Sequence, residues 1–331
     1  MDNPRFQAWR LHAGAAGEPP QGRFETLTAD QLSAGDTLIK VAYAGLNYKD
    51  ALAQAGRGGI VRDYPRIGGI DLSGTVVHSA DPALSPGQEV VVHGFGIGVD
   101  CDGGYAEFAR VRHDWVLPLP AGIGLRDAAV LGAAGYTAAL SLHWMEHCGL
   151  TPAHGDVLVT GATGGVASVA IDILSQRGYR VCAMSGKPDA ADYLRSLGAH
   201  EVIAPPDLSA GIKPLMSARW AGVIDAVGGA LLAHALASVK PDGVAAAFGN
   251  AGGAALPTSV IPFILRGIKL LGINANSPMP LRREVWNKLA GEYRPAHLDL
   301  IARVIEPREL PQALAALLER GSTGRSVVRY S

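Results

Sequence analysis

Cysteine is scarce in this chain, and its scarcity excludes two kinds of site. Only three cysteines occur among the 331 residues, Cys101, Cys148 and Cys182, and no two of them form a C-x-x-C pair. A disulfide framework and a cysteine-rich zinc site both need closely spaced cysteines. Neither is therefore predicted, and a reducing, cytoplasmic location is the expectation.

An excess of charge and a long apolar run are missing as well. The 29 basic and 30 acidic residues give a formal net charge of −1, which offers no general attraction to nucleic acid or to an anionic membrane. Glycines interrupt the most apolar stretches, near 128–142 and 244–256, so no membrane span is predicted. The first twelve residues also lack the pattern of a secretory signal. We therefore expect a small-molecule partner, held by local clusters of polar groups.

Two patterns divide the chain, which is long enough for about two domains. Short alternating runs separated by Gly, Pro and Asp predict strands at 37–44, 73–78, 89–92 and 105–111, which is typical of a β-barrel-like domain. Apolar residues at helical spacing follow over 127–147, and strands then alternate with helices. The change of pattern places a domain boundary near Leu125.

The second half predicts an α/β domain with a doubly wound parallel sheet. Its six strands are expected at 157–159, 179–184, 201–203, 222–227, 243–248 and 269–273. Helices at 282–289 and 311–319 and a last strand at 326–329 form a tail too small to fold alone. We expect three segments: 1–125 as a substrate domain, 126–276 as a nucleotide domain, and 277–331 as a return to the first domain.

The βαβ unit from Asp156 to Lys187 carries a glycine-rich turn between its first strand and its helix. The three glycine positions of the dinucleotide fingerprint are filled by Ala162, Gly164 and Ala167, with additional glycines at Gly161 and Gly165. The fingerprint is incomplete, but the middle glycine, where backbone must approach phosphate, is present. The unit therefore predicts a pyrophosphate at the helix N-terminus.

The end of the second strand of this unit selects the nucleotide. NAD-specific folds place an acidic residue there to bind the ribose 2′-hydroxyl. Here the strand ends in Met184-Ser185-Gly186-Lys187, with no carboxylate. A hydroxyl and a cation suit a 2′-phosphate, so NADPH is predicted over NADH. The alternative is that Lys187 is a solvated loop lysine.

Several segments resemble the medium-chain dehydrogenase/reductase superfamily, and within it the acrylyl-CoA reductase (AcuI/YhdH) family. The similarity covers nearly the whole chain and is carried by residues 46–50 (LNYKD), 69–76 (GIDLSGTV), 103–107 (GGYAE), 184–187 (MSGK) and 262–267 (PFILRG). This resemblance implies a GroES-like β-barrel catalytic domain combined with a Rossmann doubly wound sheet. It also implies a homodimer formed through the nucleotide domain.

The resemblance implies that two zinc ligands of related enzymes are absent from this chain, and this absence bears on the expected reaction. Zinc-dependent relatives carry cysteine at the position of Asn47 and histidine at the position of Ile70, so no metal is predicted here. His143 and His147 are four residues apart beside Cys148, but an ordinary helix face is the interpretation we favour. Without a metal Lewis acid, hydride addition to a polarised double bond is a better prediction than alcohol oxidation.

The resemblance further implies NADPH-dependent reduction of the C=C bond of an α,β-unsaturated acyl-CoA, such as acrylyl-CoA to propionyl-CoA. Something must then stabilise charge on the thioester oxygen and supply a proton. Tyr48 or Lys49 is the predicted donor or relay, and Asn47 and Asp50 are predicted to orient the loop. The alternative is that Asn47 and Asp50 only close a turn while Tyr48 packs on the cofactor.

Binding residues follow from the same motif positions. The pyrophosphate is predicted to contact Thr163, Gly164, Gly165 and Val166. The 2′-phosphate is predicted to contact Ser185 and Lys187, with Tyr193 as a neighbour. The nicotinamide half is predicted to lie along Thr137 and Asn250. Arg325 is predicted near phosphates of cofactor or substrate, or else as a surface arginine. The phosphates of CoA are assigned to Arg57, Arg62, Arg66 and Arg266, with a solvated basic loop as the alternative.

Two departures from the family pattern leave the substrate open. Ala167 stands where close relatives have glycine, and Asn274-Ala275 stands where an acid followed by serine is expected. The main alternative function is an NADPH:quinone or enone oxidoreductase. An alternative of another class is a non-catalytic NADPH-binding protein.

Overall fold

The computed structural model describes residues 4–209 and 211–330, and the chain divides into two units. The first unit contains the residues up to Ala134, then Asn276–Arg283 and the residues from Ala302 onward; the second contains Gly135–Ala275 and Glu284–Ile301. The domain boundaries predicted at 125/126 and 276/277, with the functions assigned to each domain, stay a prediction.

The helices and strands are numbered in chain order. The strands are β1 (Arg5–His12), β2 (Gln21–Thr28), β3 (Thr37–Gly45), β4 (Arg66–Ile67), β5 (Asp71–Ser79), β6 (Glu89–His93), β7 (Phe108–Val111), β8 (Leu117–Pro118), β9 (Val157–Thr160), β10 (Val181–Met184), β11 (Glu201–Ile203), β12 (Trp220–Asp225), β13 (Val239–Ala247), β14 (Lys269–Gly272), β15 (Ala302–Ile305) and β16 (Arg325–Arg329). The helices are α1 (Tyr48–Gln54), α2 (Leu125–His147), α3 (Gly165–Gln176), α4 (Ala191–Ser196), α5 (Gly229–Ala237), α6 (Ile261–Arg266), α7 (Met279–Ala290), α8 (Leu298–Ile301) and α9 (Leu310–Leu318).

The first unit is built on two sheets. One has the strand order β15-β16-β3-β5-β6-β8, with β7 also paired to β3, and the other has the order β2-β1-β4. Alternation along β3 buries Ile39 and Val41 and exposes Lys40, which is the pattern of a strand covered on one face. β16 pairs antiparallel with β3, placing Val328 opposite Ala44, so the C-terminal strand belongs to the sheet of this unit.

The second unit contains a six-stranded parallel sheet with the order β11-β10-β9-β12-β13-β14. Every residue of β9, β10 and β12 is buried, as expected where helices cover both faces of a parallel sheet. Its strand order reverses between β9 and β12, which is the point where such folds bind nucleotides. The carboxyl ends of β9, β10 and β13 therefore frame the candidate cofactor site.

The predicted α/β class is confirmed, and most predicted elements lie within a few residues of the observed ones. Several elements differ, and the short elements β4, β8, β15, α6 and α8 were not predicted. β1 and β2 were not predicted, because long polar side chains in RFQAWRLH mask an alternation that buries Phe6 and Ala8. The segment from Asn47, predicted as a loop, is the cap and first turn of α1. Among residues 4–209 and 211–330, no helix has the length and apolar character needed to cross a membrane.

Candidate active site

Two strand ends bring the predicted catalytic segment next to a buried acid in the first unit. β3 ends at Gly45, two residues before Asn47, and the antiparallel β5 begins at Asp71. The Asp71 carboxylate accepts hydrogen bonds from the Gly45 N–H (2.9 Å) and from Asn47 Nδ2 (3.1 Å). Asp71 therefore fixes both the end of β3 and the side chain that caps α1.

Arg325 completes this cluster from β16. Its Nη2 donates to Asp71 Oδ2 at 2.6 Å, and its Nη1 donates to Asn47 Oδ1 at 2.9 Å and to the Leu46 carbonyl at 3.1 Å. Nε and Nη2 each lie 3.3 Å from the Ala129 carbonyl. All five N–H donors of the guanidinium thus have acceptors in the first unit.

This placement corrects the prediction for Arg325. Only 3% of the residue is exposed, so it is not a surface arginine, and its donors are used within the protein rather than left for a phosphate. Asp71 was missed as a functional residue, although an acid inside the apolar run of GIDLSGTV was a usable signal. Asp71 and Arg325 together fix the side chain of Asn47. The family resemblance implies that zinc-dependent relatives have a metal ligand at this position.

A break in helix α2 supplies the remaining partners of the ion pair. Gly132 has φ 39° and ψ −140°, which interrupts the helix. In a continuous helix the Ala133 N–H would bond to the Ala129 carbonyl four residues earlier. Instead the Ala133 N–H donates to Asp71 Oδ2 (2.8 Å) while the Ala129 carbonyl accepts from Arg325.

Asp50 is a second buried carboxylate in the same region. It accepts the Asn47 N–H (2.9 Å) and the Ile70 N–H (3.0 Å). Burial, reinforced by the nearby charge of Asp71, raises the pKa of Asp50 to about 7, and the N–H donors only partly offset this effect. The Asp50 carboxyl group therefore binds the backbone at the start of α1 and just before β5. Its predicted role in orienting the catalytic segment stays a prediction.

Tyr48 and Lys49, the two predicted proton donors, are the first residues of α1. Tyr48 is half-buried and Lys49 is exposed. Neither side chain has a hydrogen bond or ion pair with the part of the chain that the structure describes. Both are therefore available to a ligand, in contrast to Asn47 and Asp50, whose polar atoms are committed to the protein.

The four predicted phosphate-binding arginines fall into two groups. Arg57 and Arg62 are exposed in the segment that follows α1, and they stay candidates. Arg66 donates to the Ser33 hydroxyl and lies 3.6 Å from the Asp102 carboxylate. That placement corrects the prediction for Arg66, because its guanidinium contacts side chains of the first unit and is not left for a phosphate.

Arg266 requires the same correction. Its Nη1 donates to the Ala237 carbonyl (3.0 Å) and the Val239 carbonyl (2.8 Å), and its Nη2 donates to the Met216 carbonyl. Ala237 is the last residue of α5, Val239 is the first residue of β13, and Met216 precedes β12. Arg266 therefore satisfies backbone acceptors within the nucleotide unit and is not offered to substrate phosphates.

The glycine-rich turn of the second unit has the geometry that a pyrophosphate needs. Gly161 has φ 58°, which favours glycine, and Gly164 precedes α3 without any side chain capping the helix. The first N–H groups of α3, from Gly165 and Val166 onward, are thus left for a ligand. Thr163 is buried beside them and Gly164 is exposed. The residues fit the predicted anion site.

The end of β10 carries the residues predicted for the 2′-phosphate. The Ser185 hydroxyl accepts the Lys187 N–H at 3.1 Å, which folds the Ser-Gly-Lys turn on itself. Lys187 is half-buried, and burial lowers the pKa of its ammonium group. The Tyr193 hydroxyl donates to the Ser168 hydroxyl of α3 at 2.9 Å, so it links α4 to the helix of the glycine turn.

The residues predicted for the nicotinamide half occupy two places. Thr137 is buried on α2. Asn250 lies in a shallow depression at the carboxyl ends of β13 and β14, whose lining consists of Ala247, Phe248, Gly249, Asn250, Gly272, Ile273 and Asn274. The depression brings Asn274, which departs from the family pattern, to the same edge of the sheet as Asn250.

The histidines, cysteines and acidic residues of the described ranges do not come together as a metal site. Within residues 4–209 and 211–330, no group of three His, Cys, Asp or Glu side chains is arranged to hold a metal ion. His143 lies 3.7 Å from the Glu284 carboxylate, and burial lowers the pKa of its imidazole. His143 is thus part of a helix-packing contact in the second unit.

Two family models match the chain, one in the β-rich first unit and one mainly in the second unit. Residues 33–121 match the alcohol dehydrogenase GroES-like domain, and residues 165–291 match the zinc-binding dehydrogenase model. Acrylyl-CoA reductase AcuI of Ruegeria pomeroyi is 44% identical over 310 residues, which cover 93% of this chain and 94% of that protein. The chain belongs to the medium-chain dehydrogenase/reductase superfamily, in the AcuI/YhdH family. The GroES-like and Rossmann assignments are thereby confirmed.

Other relatives in this family carry different names. YhfP of Bacillus subtilis, named provisionally as a quinone oxidoreductase, is 46% identical over 98% of both chains, and its crystal structure with NAD bound has a TM-score of 0.95 over 99% of this chain and 100% of that one. The yhdH oxidoreductase of Salmonella enterica in complex with NADP is 41% identical with a TM-score of 0.94, covering 98% of this chain and 100% of that chain. The family and the oxidoreductase class are therefore secure, while relatives of similar identity differ in named substrate and bound nucleotide.

Proposed function

We propose that this chain is an NADPH-dependent reductase of the C=C bond of α,β-unsaturated acyl-CoA thioesters, with acrylyl-CoA as the reference substrate. The observation that carries the proposal is Asn47, held by Asp71 and Arg325 at the position of a metal ligand in zinc-dependent relatives. An amide fixed by a buried ion pair organises the start of α1 without binding a Lewis acid. The similarity to AcuI supports the same substrate class.

The reaction adds one hydride and one proton across the double bond. Bound NADPH would supply the hydride for the β-carbon and would thereby be oxidised to NADP⁺. Negative charge then develops on the thioester oxygen, and a proton must reach the α-carbon. Tyr48 or Lys49 donates or relays that proton, because both side chains lie at the start of α1 without protein partners in the described chain. Asn47 and Asp50 orient them.

NADPH fits the second unit through two features of the chain. The uncapped start of α3 presents N–H groups to the pyrophosphate, and Thr163 to Val166 form that turn. Ser185 and Lys187 offer a hydroxyl and a cation to the 2′-phosphate, where an acid would repel it. NADP in the Salmonella relative supports this choice, and NAD in the Bacillus relative is the reason to test it.

A side-by-side assay of nucleotide oxidation with acrylyl-CoA, crotonyl-CoA, free acrylate and a benzoquinone tests the proposed substrate class. We expect the CoA thioesters to be reduced at least tenfold faster than acrylate or quinone, because Arg57 and Arg62 can bind the CoA phosphates. An advantage for benzoquinone instead would favour the quinone oxidoreductase alternative, which the name of YhfP supports. NADPH binding without oxidation of any substrate would favour a non-catalytic role.

We also propose a homodimer formed through the second unit. β14 is the terminal strand of the parallel sheet. Val260, which precedes α6, and Ile264 and Leu265 of α6 are exposed by 64%, 70% and 65%. A second copy could cover these side chains and pair with the strand edge. Light scattering should show a dimer that the double substitution Ile264→Glu and Leu265→Glu converts to a monomer; a monomeric parent protein would contradict the proposal.

A further inference from the structure

Asp225 is a buried carboxylate at the carboxyl end of β12, the strand between β9 and β13. Its Oδ1 accepts the Thr160 hydroxyl at 2.6 Å, and its Oδ2 accepts the Gly228 N–H at 2.7 Å. The Thr160 hydroxyl oxygen accepts the Ala226 N–H in turn, at 3.1 Å. One carboxylate therefore holds the end of β9 against the turn that follows β12.

The turn at 226–228 is packed between two glycine segments. A Cβ added at Gly161 would lie 3.1 Å from a Val227 methyl group, and a Cβ added at Gly249 would lie 2.0 Å from the Ala226 carbonyl oxygen. On the Gly249 side, the Gly252 N–H also donates to the Val227 carbonyl at 2.7 Å. A shift of the turn would therefore move one or both glycine segments.

Each of these segments belongs to one half of the proposed cofactor site. Gly161 opens the pyrophosphate turn, and Gly249 immediately precedes Asn250. We propose that Asp225 is a positioning residue for NADPH, fixing the turn at 226–228 so that the pyrophosphate turn and the Asn250 segment keep one relative geometry. The inference rests on the proposed function, since it concerns the same cofactor.

A carboxylate suits this position better than its amide. Both neighbours, the Thr160 hydroxyl and the Gly228 N–H, are donors, and an ionised carboxylate accepts from both. An asparagine would direct its NH₂ group at one of them and leave a buried donor without its acceptor. Burial raises the pKa of Asp225, so the fold retains an ionisable group here against a desolvation penalty.

The test is fluorescence titration of the full chain with NADPH and no second substrate. We expect Asp225→Asn to weaken NADPH binding by about tenfold, in line with loss of one charged hydrogen bond. Thr160→Val should weaken it similarly because it removes the hydroxyl, whereas Thr160→Ser should stay within about twofold of the parent. In steady state, the KM for NADPH should rise while the KM for the acyl substrate is unchanged.

Asp172→Asn is the matched control. Asp172 is also fully buried in the second unit, and it accepts the His297 N–H at 2.7 Å and the His297 ring nitrogen at 3.0 Å. The Asp172→Asn variant should lose thermal stability, as Asp225→Asn does, but it should keep the parent affinity for NADPH. Equal loss of affinity in the control, or parent-like affinity in both Asp225→Asn and Thr160→Val, would overturn the inference. A parent protein that does not bind NADPH would instead overturn the proposed function.

Discussion

Arg325 and Asp71 form an ion pair that is inserted into a broken helical hydrogen bond. Their side chains meet at 2.6 Å, and Asp71 takes the Ala133 N–H while Arg325 takes the Ala129 carbonyl. The two backbone groups would bond to each other if α2 were continuous at Gly132. The same ion pair holds Asn47, so the helix break and the start of α1 are joined by one buried cluster.

Arg325→Lys should distinguish the effect of the guanidinium hydrogen bonds, which position Asn47, from the effect of the positive charge alone. Lysine keeps the positive charge, but it has three donors and cannot reproduce the planar five-donor pattern. We expect a loss of roughly 1–3 kcal/mol in the free energy of unfolding, from acceptors left unsatisfied. The kcat for the enoyl substrate should fall at least tenfold, because Asn47 Oδ1 loses the guanidinium donor, while NADPH affinity measured by titration is retained.

Arg329→Lys is the control, in the same strand β16. Arg329 is 52% exposed at its side chain and pairs with Glu306, so its replacement should change stability by less than about 0.5 kcal/mol. Parent-like kcat in Arg325→Lys, combined with parent-like stability, would show that the cluster does not position the active segment.

Gly45→Ala tests the space around the ion pair. A Cβ at Gly45 would lie 2.1 Å from Arg325 Nη2 and 2.4 Å from Asp71 Oδ1, closer than real contacts allow. We expect destabilisation of roughly 1–3 kcal/mol by overpacking, measured by urea denaturation, together with reduced kcat. Gly124→Ala, whose Cβ would meet nothing within 4 Å, should retain parent stability and activity. Equal stability and equal kcat in the two variants would mean that the ion pair can shift to accommodate the added methyl group at no cost.

The sequence predicted the sheet architecture because local patterns carry it. β11 was predicted at its observed bounds, and β9 was predicted within one residue. The continuous apolar, largely β-branched run of β9 is the pattern of a buried parallel strand, whereas β11 is an edge strand and only half-buried. The glycine turn was also recognisable, since Gly161 and Gly164 provide backbone conformations and access that other residues do not.

The active cluster was less accessible to sequence reasoning because it is made of long-range contacts. Arg325 and Asp71 are separated by 254 residues, and nothing near Arg325 in the chain indicates that it is buried. A glycine before an arginine is equally compatible with a surface turn, and only the pairing of β16 with β3 removes that interpretation. Arg66 and Arg266 were misassigned for the same reason, since their acceptors lie 33 or more and 27 or more residues away.

Asp50 should make folding stability depend on pH in a direction opposite to that of most acids. Its pKa is raised by burial to about 7, above the ordinary value of 3.8. Between these values the folded chain binds more protons than the unfolded chain, so stability is greatest at low pH and falls as pH rises toward 7. The slope from this group is at most about 1.4 kcal/mol for each pH unit.

Asp50→Asn cannot ionise and should remove this component. Urea denaturation at pH 5, 6, 7 and 8 should therefore show a smaller loss of stability with rising pH than in the parent protein. The exposed Asp189→Asn is the control and should follow the parent. A parent-like slope in Asp50→Asn would mean that Asp50 does not hold its proton near neutral pH.

Lys187→Met should change the preference between the two nicotinamide nucleotides. Removing the cation leaves the 2′-phosphate of NADPH without its predicted charge partner, and a charged hydrogen bond contributes about 1.5–3 kcal/mol. We expect the dissociation constant for NADPH to rise about tenfold and that for NADH to change less than twofold. Lys213→Met, at an exposed lysine of the same unit, is the control. A parent protein that already binds NADH as tightly as NADPH would refute the assignment of Ser185 and Lys187.

Tyr48→Phe and Lys49→Met should identify the proton donor. General acid catalysis contributes about 10²–10⁴ in rate, so loss of the true donor should slow single-turnover reduction of acrylyl-CoA by at least about 100-fold. Because Asn47 and Asp50 are untouched, NADPH binding and thermal stability should be retained in both variants. Tyr43→Phe and Lys40→Met, on β3, serve as matched controls for loss of a hydroxyl and of an ammonium group. If both active-segment variants react at near-parent rates, the proton comes from another source and the start of α1 only shapes the site.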